Sequence, residues 1–504
     1  MAGLLIAVAA LLLAVYLYLK RSCRYWRRVA NIDGPQPRWV LGNISQQITG
    51  RKHFGEIFAE VYRSYPQASW VGVYELFNKP AVLVRDLELV KEILVSSFQH
   101  FNKNSFEVDA TIDPLASMNP FVNVGDQWKE KRSQIVPVLT ATRVRTTFPI
   151  IKNVAENFLK YVDRVRAGSP DFEVKEVCGR YTIDSVASCA FGIDAESFAN
   201  PDAEFARMGF ELFNADSAIA WLRAMLALFA PKVASLLKLA FIPKHIDCWF
   251  RSLIENVTNL RKDGKVQRRD LFQAIYDTLS QNGTVPVKSN ELIGHSVTFL
   301  TEGFETSGTL MSYVLFELAT NREVQDRVLE ELDSALEDGQ LTDEAVQKLV
   351  YLERAMYETL RLHAATLTLT KVCTKEYELP AQYPTDRKRV RIQPGTAVII
   401  PVYGIHYDPE IYPEPHRFEP DRFLEENKKT RHRYAFLGFG EGPRICLGMK
   451  FGMLQSKIGI ATLLSKYRVE LSPKQQMPLE VSKSTWLLAP KGGIWVRFVE
   501  RKNQ

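Results

Sequence analysis

The spacing of apolar residues predicts a mainly helical chain. Apolar side chains recur every three or four residues over long stretches, as expected for helices that bury one face. The predicted helices cover residues 127–138, 150–166, 269–280, 287–319, 321–337, 349–363 and 447–467. Shorter runs rich in β-branched residues predict strands at 70–76, 81–86, 371–379, 389–392 and 396–403. The pattern therefore predicts an α+β fold that is mainly α, with a smaller β portion near both ends.

The first apolar run is followed by a basic cluster. Residues 3–19 carry no charged side chain, and Lys20, Arg21 and three further arginines up to Arg28 come next. A helix of this length rises about 25 Å, which is near the lower limit for crossing a bilayer core. A cleaved secretory signal is the alternative, but no charged side chain precedes the run and no small-residue cleavage site follows it. We therefore expect a transmembrane signal-anchor over residues 1–20, with the basic cluster on the cytoplasmic side.

Prolines separate this anchor from the rest of the chain. Pro35 and Pro37 cannot continue a helix, so residues 21–45 are expected to form a basic, Pro/Gly-rich hinge, with a plain loop as the alternative. No stretch within 46–504 has the composition of a flexible linker. The sequence therefore predicts one large domain behind the anchor, held against membrane lipid.

Composition narrows the classes of protein that remain. The 504 residues are 46% hydrophobic and 24% charged, which is ordinary for a globular protein with a large core. The net charge of +6 is too small to indicate nucleic-acid binding, and none is expected. The six cysteines are widely spaced and form no CxxC pair, which excludes a zinc ribbon or a disulfide scaffold and suits a reducing compartment.

One cysteine lies in a constrained loop, FGEGPRICLG (439–448). Cys446 comes directly before the last predicted helix, so the helix dipole and free backbone N–H groups are expected to lower the thiol pKa. Gly442 and Gly448 would let a flat group approach, and Arg444 could pair with a carboxylate on it. A haem held by a cysteine thiolate fits this pattern. A buried structural thiol is the alternative.

The loop resembles the pattern Phe-x-x-Gly-x-Arg-x-Cys-x-Gly of the cytochrome P450 family. Phe439, Gly442, Arg444, Cys446 and Gly448 all fall in register. The resemblance implies the P450 fold, with haem b as cofactor and the Cys446 thiolate as axial ligand of the iron.

Two further segments resemble family motifs. In EGFETS (302–307), the resemblance to the oxygen-binding segment implies that Glu305 and Thr306 are catalytic and deliver protons. A threonine that bonds back to a helix carbonyl is the alternative. ETLR (358–361) resembles Glu-x-x-Arg and, with Arg422, implies a buried ionic network.

Contacts to the haem propionates are implied at several positions. QWKEKR (127–132) resembles the family's Trp-x-x-x-Arg pair, which gives Trp128 and Arg132 as cofactor-binding residues beside Arg444. Lys371 stands where the family usually has an arginine. A lysine lacks the bidentate fork, so we expect a retained but weaker haem contact there.

The sequence departs from the usual pattern at two other places. Glu302 stands one helical turn before Thr306, where a small residue is usual, and must be protonated, paired or hydrogen bonded. In the fatty-acid ω-hydroxylase branch such a glutamate forms an ester with the haem, so the same bond is a hypothesis here. Ala364 and Ala365 replace two usual prolines, which makes the substrate contacts that follow harder to predict.

The resemblance implies a monooxygenase that inserts one oxygen atom from O2 into a lipophilic xenobiotic, hormone or lipid. Because no dinucleotide or flavin motif is present, NADPH is expected to act indirectly, through NADPH-cytochrome P450 reductase, with cytochrome b5 as a further partner. The basic run 428–433 with Lys450 and Lys457 would form the docking face, or alternatively a solvated charge run.

A resemblance of the turn SVASCAFGI (185–193) and the segment DPLASMNPF (113–121) implies the microsomal branch that oxidises xenobiotics in insects. It places the protein in the endoplasmic reticulum membrane, with the catalytic domain on the cytoplasmic side. A haem-thiolate isomerase or dehydratase and a haem-based sensor are the alternatives. The presence of Glu305 and Thr306 favours the monooxygenase.

Overall fold

The protein is described here from a computed structural model. It describes residues 2–200, 202–213, 223, 226–227, 231–262, 268, 270–280, 289–336, 338–483, 485 and 487–501. Residues 269 and 287, at which two of the predicted helices begin, lie outside the described residues.

Helices dominate the described chain, as the apolar spacing predicts. In chain order they are α1 Ala2–Ser22, α2 Tyr25–Ala30, α3 Ser45–Ile48, α4 Phe54–Ser64, α5 Leu87–Lys91, α6 Gly125–Ile135, α7 Ala141–Arg145, α8 Phe148–Gly168, α9 Val174–Val186, α10 Glu204–Phe213, α11 Pro231–Leu236, α12 Lys244–Lys262, α13 Leu271–Ser280, α14 Asn290–Gly303, α15 Glu305–Thr320, α16 Arg322–Ala335, α17 Asp343–Lys348, α18 Val350–Leu362, α19 Val402–His406, α20 Glu425–Thr430 and α21 Met449–Lys466. The predicted helix 287–319 is wrong in one respect, because it is interrupted at Phe304 between α14 and α15.

Three small sheets complete the fold. The strands are β1 Trp70–Tyr74, β2 Pro80–Val84, β3 Lys103–Asn104, β4 Asp171–Glu173, β5 Leu369–Val372, β6 Tyr377–Leu379, β7 Val390–Ile392, β8 Ala397–Ile400, β9 Tyr467–Leu471 and β10 Trp495–Glu500. The largest sheet has the order β1-β2-β8-β5-β3, with β2 and β8 parallel and the other pairs antiparallel. The predicted strand 371–379 divides between β5 and β6, which belong to different sheets. The prediction of a mainly α fold with a smaller β portion is confirmed.

The largest apolar core surrounds helices α9, α15 and α21. Every residue of α15 from Ser307 to Leu318 is buried, so this helix is enclosed on all sides and passes through the centre of the domain. Helix α9 packs along one side of it and α21 along another. Helix α21 begins three residues after Cys446, which brings the cysteine loop to the same centre.

The N-terminal segment contacts the sheet through Trp26. This side chain is 2% exposed, and its indole N–H donates to the Val73 carbonyl at 3.0 Å. Among the residues that the structure describes, no helix combines the length and the apolar character needed to cross a bilayer.

Candidate functional site

A cavity of about 300 Å³ lies between the cysteine loop and the start of α15. Its lining includes Trp128, Arg132, Glu302, Thr306, Lys371, Arg444 and Cys446. These residues span more than 300 positions of the chain, and the fold brings them to one place. The remaining lining is largely apolar and includes Phe106, Phe121, Ile135, Leu139, Phe299 and Leu310.

The Cys446 thiol faces this cavity. The Cys446 N–H donates to the Phe439 carbonyl at 2.9 Å, which closes the loop behind the sulfur atom. Burial raises the pKa of the thiol to about 11, although the backbone N–H groups of Gly448 and Met449 lower it. The backbone groups at the helix start therefore lower the thiol pKa as expected, but burial raises it by more. The prediction of a lowered thiol pKa is wrong for the protein without a cofactor. A bound cation such as iron reverses this balance, because it favours the thiolate strongly.

Arg444 holds the cysteine loop to two other loops. Its guanidinium donates to the backbone carbonyls of Asn102, Pro120 and Asn123, with the Nε–O distance to Asn102 at 2.9 Å. It also lies over the Trp128 ring, 4.9 Å from the ring centre. Burial lowers the pKa of Arg444 to about 10, with a contribution from the nearby Arg132.

Arg132 and Trp128 lie on one face of α6, as the four-residue spacing predicts. Arg132 donates from Nη2 to the Ile445 carbonyl at 3.1 Å, directly beside the cysteine. Trp128 is 7% exposed and stands between the two arginines. Burial lowers the pKa of Arg132.

Lys371 enters the cavity from β5. It is 6% exposed, and its Nζ donates to Asn104 Oδ1 at 2.8 Å. Burial lowers the pKa of Lys371 to about 7, and the charge of Arg444 adds to this effect.

The three basic residues share one property that bears on a cofactor. Within the described chain, neither Arg132, Lys371 nor Arg444 forms an ion pair with a carboxylate. Buried cations are normally paired, so this end of the cavity suits a ligand that brings its own carboxylates. Gly448 also lines the cavity, and a Cβ there would meet no atom within 4 Å. The donor set therefore fits a flat group with anionic arms that lies against Cys446.

The two predicted catalytic residues face different ways. Thr306 lines the cavity, and its hydroxyl donates to the Glu302 carbonyl at 2.9 Å. Glu305 is not among the described lining residues. Its Oε1 lies 2.6 Å from Lys175 Nζ of α9, and its side chain is 14% exposed. The threonine therefore has the backbone contact foreseen as the alternative while remaining accessible to the cavity.

Glu302 lies across the cavity from the thiol. Its Oε1 accepts from Asn119 Nδ2 at 2.8 Å, and burial raises its pKa. The sequence requirement that this carboxyl be protonated, paired or hydrogen bonded is thus met by an amide. Whether it forms an ester to a haem stays a prediction.

Comparison with known proteins decides the family. The family model for cytochrome P450 matches residues 32–497. This chain belongs to the cytochrome P450 family. "Probable cytochrome P450 308a1" of Drosophila melanogaster is 38% identical over 510 residues, covering 97% of this chain and 98% of that protein. Cytochrome P450 6a2 of the same organism is 34% identical, with 99% of each chain covered. Cytochrome P450 6B7 of Helicoverpa armigera is 31% identical, with 98% of each covered.

The family prediction from FGEGPRICLG is confirmed, and these relatives are insect proteins. Cytochromes P450 are monooxygenase oxidoreductases. They use haem held by a cysteine thiolate and receive electrons from a reductase that uses NADPH. The donor set described above fits that cofactor.

A contact that the sequence did not indicate supports the distal side of the P450 cavity. The interruption at Phe304 frees the Gly303 carbonyl, which accepts from Gln455 Nε2 at 2.7 Å. The same nitrogen lies 2.7 Å from Ser307 Oγ. Gln455 is a polar residue within the apolar run of α21, and that break in the pattern is the signal that could have identified it.

The Glu-x-x-Arg pair of α18 forms the expected buried network. Arg361 and Glu358 are both 0% exposed and joined by two hydrogen bonds of 2.8 and 2.7 Å. Arg422 Nε lies 3.3 Å from the same carboxylate. Arg361 also donates to the His406 and Pro415 carbonyls at 2.7 and 2.8 Å, which ties α18 to the segment leading into the cysteine loop.

Proposed function

We propose that this cytochrome P450 inserts one oxygen atom from O2 into a lipophilic small molecule, a xenobiotic, hormone or lipid. The observation that carries the proposal is one cavity that holds a single thiol and three basic side chains without carboxylate partners. The other walls of this cavity are largely apolar. Apolar walls favour substrates with little polar surface.

The cofactor-binding residues are proposed from that arrangement. Cys446 would be the axial ligand, and Arg132, Lys371 and Arg444 would receive the propionates beside Trp128. When bound, the haem supplies the activation of dioxygen and the insertion of an oxygen atom. The protein would hold the cofactor against the cysteine loop and exclude bulk water from the cavity.

Proton delivery is proposed for Glu305 and Thr306. Glu305 belongs to an ion pair with Lys175 that is partly open to solvent, whereas Thr306 borders the cavity. A proton would therefore enter at the Glu305 carboxylate and leave from the Thr306 hydroxyl, with water between them. Thr306 Oγ1 donates to the Glu302 carbonyl, so its lone pairs can accept a hydrogen bond from that water. To pass a proton on, its O–H would turn from the carbonyl into the cavity and release its proton there while the hydroxyl oxygen takes one from the water.

Electron delivery is proposed to come from NADPH-cytochrome P450 reductase, with cytochrome b5 as a second donor. The proposed docking face is the basic run 428–433 with Lys450, in which Lys428, Lys429, Arg433 and Lys450 are exposed. Lys457 does not contribute to this face, because its side chain is 7% exposed and its Nζ lies 2.9 Å from Glu353. Reversal of the charge of Lys450 should slow reduction by the reductase while haem content stays the same.

The domain organisation and location are proposed from the N-terminal sequence. Residues 1–20 would anchor the chain in the endoplasmic reticulum membrane, 21–45 would form the hinge, and 46–504 would form the catalytic domain on the cytoplasmic side. The uncharged run and the basic cluster after it support this arrangement.

One experiment tests the function. The full-length protein is reconstituted with reductase, and NADPH and O2 consumption are followed across a panel of lipophilic substrates. We expect a thiolate-type carbon monoxide difference spectrum together with substrate-dependent consumption of both. Cys446→Ser should abolish both signals, whereas Cys248→Ser, at an exposed cysteine, should retain them. A thiolate spectrum with product but no O2 uptake would indicate an isomerase or dehydratase, and a spectrum without product would indicate a sensor.

A further inference from the structure

A second cavity lies outside the P450 site, between α8, the end of α9 and the turn at 192–199. Its volume is about 880 Å³, within the range of small-molecule sites. It opens to solvent and contains none of the residues assigned above to haem or to proton delivery.

A buried carboxyl group without a full set of partners forms its inner end. Asp184 is 4% exposed and borders the cavity. Its Oδ1 has no hydrogen-bond partner in the described chain. A buried carboxyl oxygen in this state is costly unless a ligand or solvent satisfies it. Burial, opposed by a hydrogen bond from Ser197, raises the pKa of Asp184 to about 7.

The mouth of the cavity carries two more carboxylates. Asp194 and Glu196 are exposed, and neither forms an ion pair with another described residue. Among the lining residues that the structure describes, Arg268 is the one basic side chain. Among the described lining residues, two exposed carboxylates and the Asp184 carboxyl face one guanidinium, which favours a cation over an anion or a neutral ligand.

The remaining wall is partly apolar. Ile150 and Val154 contribute from α8, and Ile193 and Phe198 from the turn. A ligand must therefore combine a cationic end with an apolar body. A planar guanidinium or amidinium ion suits this cavity best, because its N–H donors can reach the unpartnered Asp184 Oδ1 while its flat face stacks on an aromatic ring.

We propose that this cavity binds a small organic cation of the guanidinium or amidinium class. Its N–H groups donate to Asp184 Oδ1, and its apolar body lies against Ile193 and Phe198. The exposed carboxylates of Asp194 and Glu196 attract the cation to the mouth. This site is independent of the monooxygenase function and does not require it.

Calorimetric titration of the full-length, haem-loaded protein with benzylguanidinium tests the site. The protonated guanidinium has no free lone pair, so it does not ligate the haem iron. We expect saturable 1:1 binding, and an affinity at least about tenfold weaker for benzylurea, a neutral compound of the same shape. Saturation with 4-phenylimidazole, which fills the P450 cavity through the iron, should leave the stoichiometry unchanged.

Variants locate the binding. Asp184→Asn should weaken binding about tenfold or more, because a buried charge-assisted hydrogen bond is lost. Glu196→Gln, at the exposed mouth, should weaken it about two- to fivefold and does not disturb the core. Asp202→Asn, an exposed acid that does not line the cavity, is the matched control and should bind as the parent does.

The proposal would be overturned by the absence of saturable heat, by equal affinity for benzylurea, or by parental affinity in Glu196→Gln together with Asp184→Asn. If Asp184→Asn fails to fold, Glu196→Gln decides alone. Loss of stoichiometry under 4-phenylimidazole would assign the ligand to the P450 cavity and would also reject the second site.

Discussion

At the scale of single residues, Lys371 is predicted to make a weaker haem contact than the arginine that is usual at this position. Its ammonium group is buried, has Asn104 as its neutral partner and is repelled by Arg444. A propionate would give it the missing counter-charge, but through a single point contact in place of a fork. Lys371 thus fits the expectation of a weaker haem contact than an arginine would give.

Removal of this amine should loosen the haem. We expect Lys371→Ala to transfer haem to apomyoglobin about tenfold faster than the parent, because one charge-assisted hydrogen bond is lost, and Lys371→Arg to transfer it more slowly than the parent. Lys450→Ala, an exposed lysine, is the control and should leave the rate unchanged. Slower transfer from Lys371→Ala would contradict the assignment.

Asp184 should make stability depend on pH. Between its ordinary pKa of 3.8 and the folded value of about 7, the folded protein keeps a proton that the unfolded chain releases. Stability due to this group therefore falls as pH rises through that window, and the full penalty is present above it. The advantage of Asp184→Asn over the parent in free energy of unfolding should grow by about 1–3 kcal/mol from pH 5 to pH 8. Urea unfolding at both pH values measures it. Ser188→Ala, a neutral neighbour in the same cavity, should show no such gain.

At the scale of elements, helix α18 depends on its buried ion pair. Removing one partner leaves the other charged and buried, so Glu358→Ala should cost about 3–5 kcal/mol of unfolding free energy. Glu156→Ala breaks a half-exposed pair on α8, with Lys152 at 3.9 Å, and should cost less than about 1 kcal/mol. Urea midpoints of the two variants provide the measurement. Equal costs would show that burial is not what makes the Glu358 pair important.

The end of helix α9 and the residues directly after it, 187–190, form a wall common to both cavities. Val186 and Ala190 face the P450 cavity, while Asp184 and Ser188 face the outer one. A ligand that pulls on Asp184 should therefore alter the space above the cysteine. We expect saturating benzylguanidinium to change the affinity of 4-phenylimidazole for the haem at least about threefold, followed by visible absorption. The Asp184→Asn variant should lose this change.

At the scale of the whole molecule, the sequence predicted the order of the main helices and strands, because apolar spacing reflects which face of each element is buried. It also predicted that Cys446, Arg132, Lys371 and Thr306 belong to one site, since motif resemblance carries tertiary information. It could not predict that Glu305 faces away from Thr306, because that orientation depends on a cation in α9. Nor could it predict the amide that donates a hydrogen bond to Glu302. Contacts such as Asn119 to Glu302 join residues 183 positions apart, and no local pattern encodes them.

The two parts of the N-terminal segment should differ in how much they contribute to the stability of the fold. Deletion of residues 2–22 should leave the free energy of unfolding nearly unchanged and release the protein from lipid vesicles. Deletion of 2–33 also removes Trp26, which is buried against the sheet, and should cost about 3 kcal/mol more. Urea unfolding and vesicle flotation of the two truncations measure these effects. Equal stability of both would mean that Trp26 packing is not needed.

Gln455 determines how the P450 cavity can enlarge. Its amide joins the helix that starts behind Cys446 to the Gly303 carbonyl and Ser307 on the far side, so along this edge the two sides keep a fixed separation. Near Asn119 the cavity is closed by a loop that is held to Glu302 through one hydrogen bond and to the cysteine loop through Arg444, which donates to the Pro120 and Asn123 carbonyls. Bulky substrates would therefore be admitted by displacement of that loop, and the size limit of the enzyme would be set by these few contacts and not by the helices.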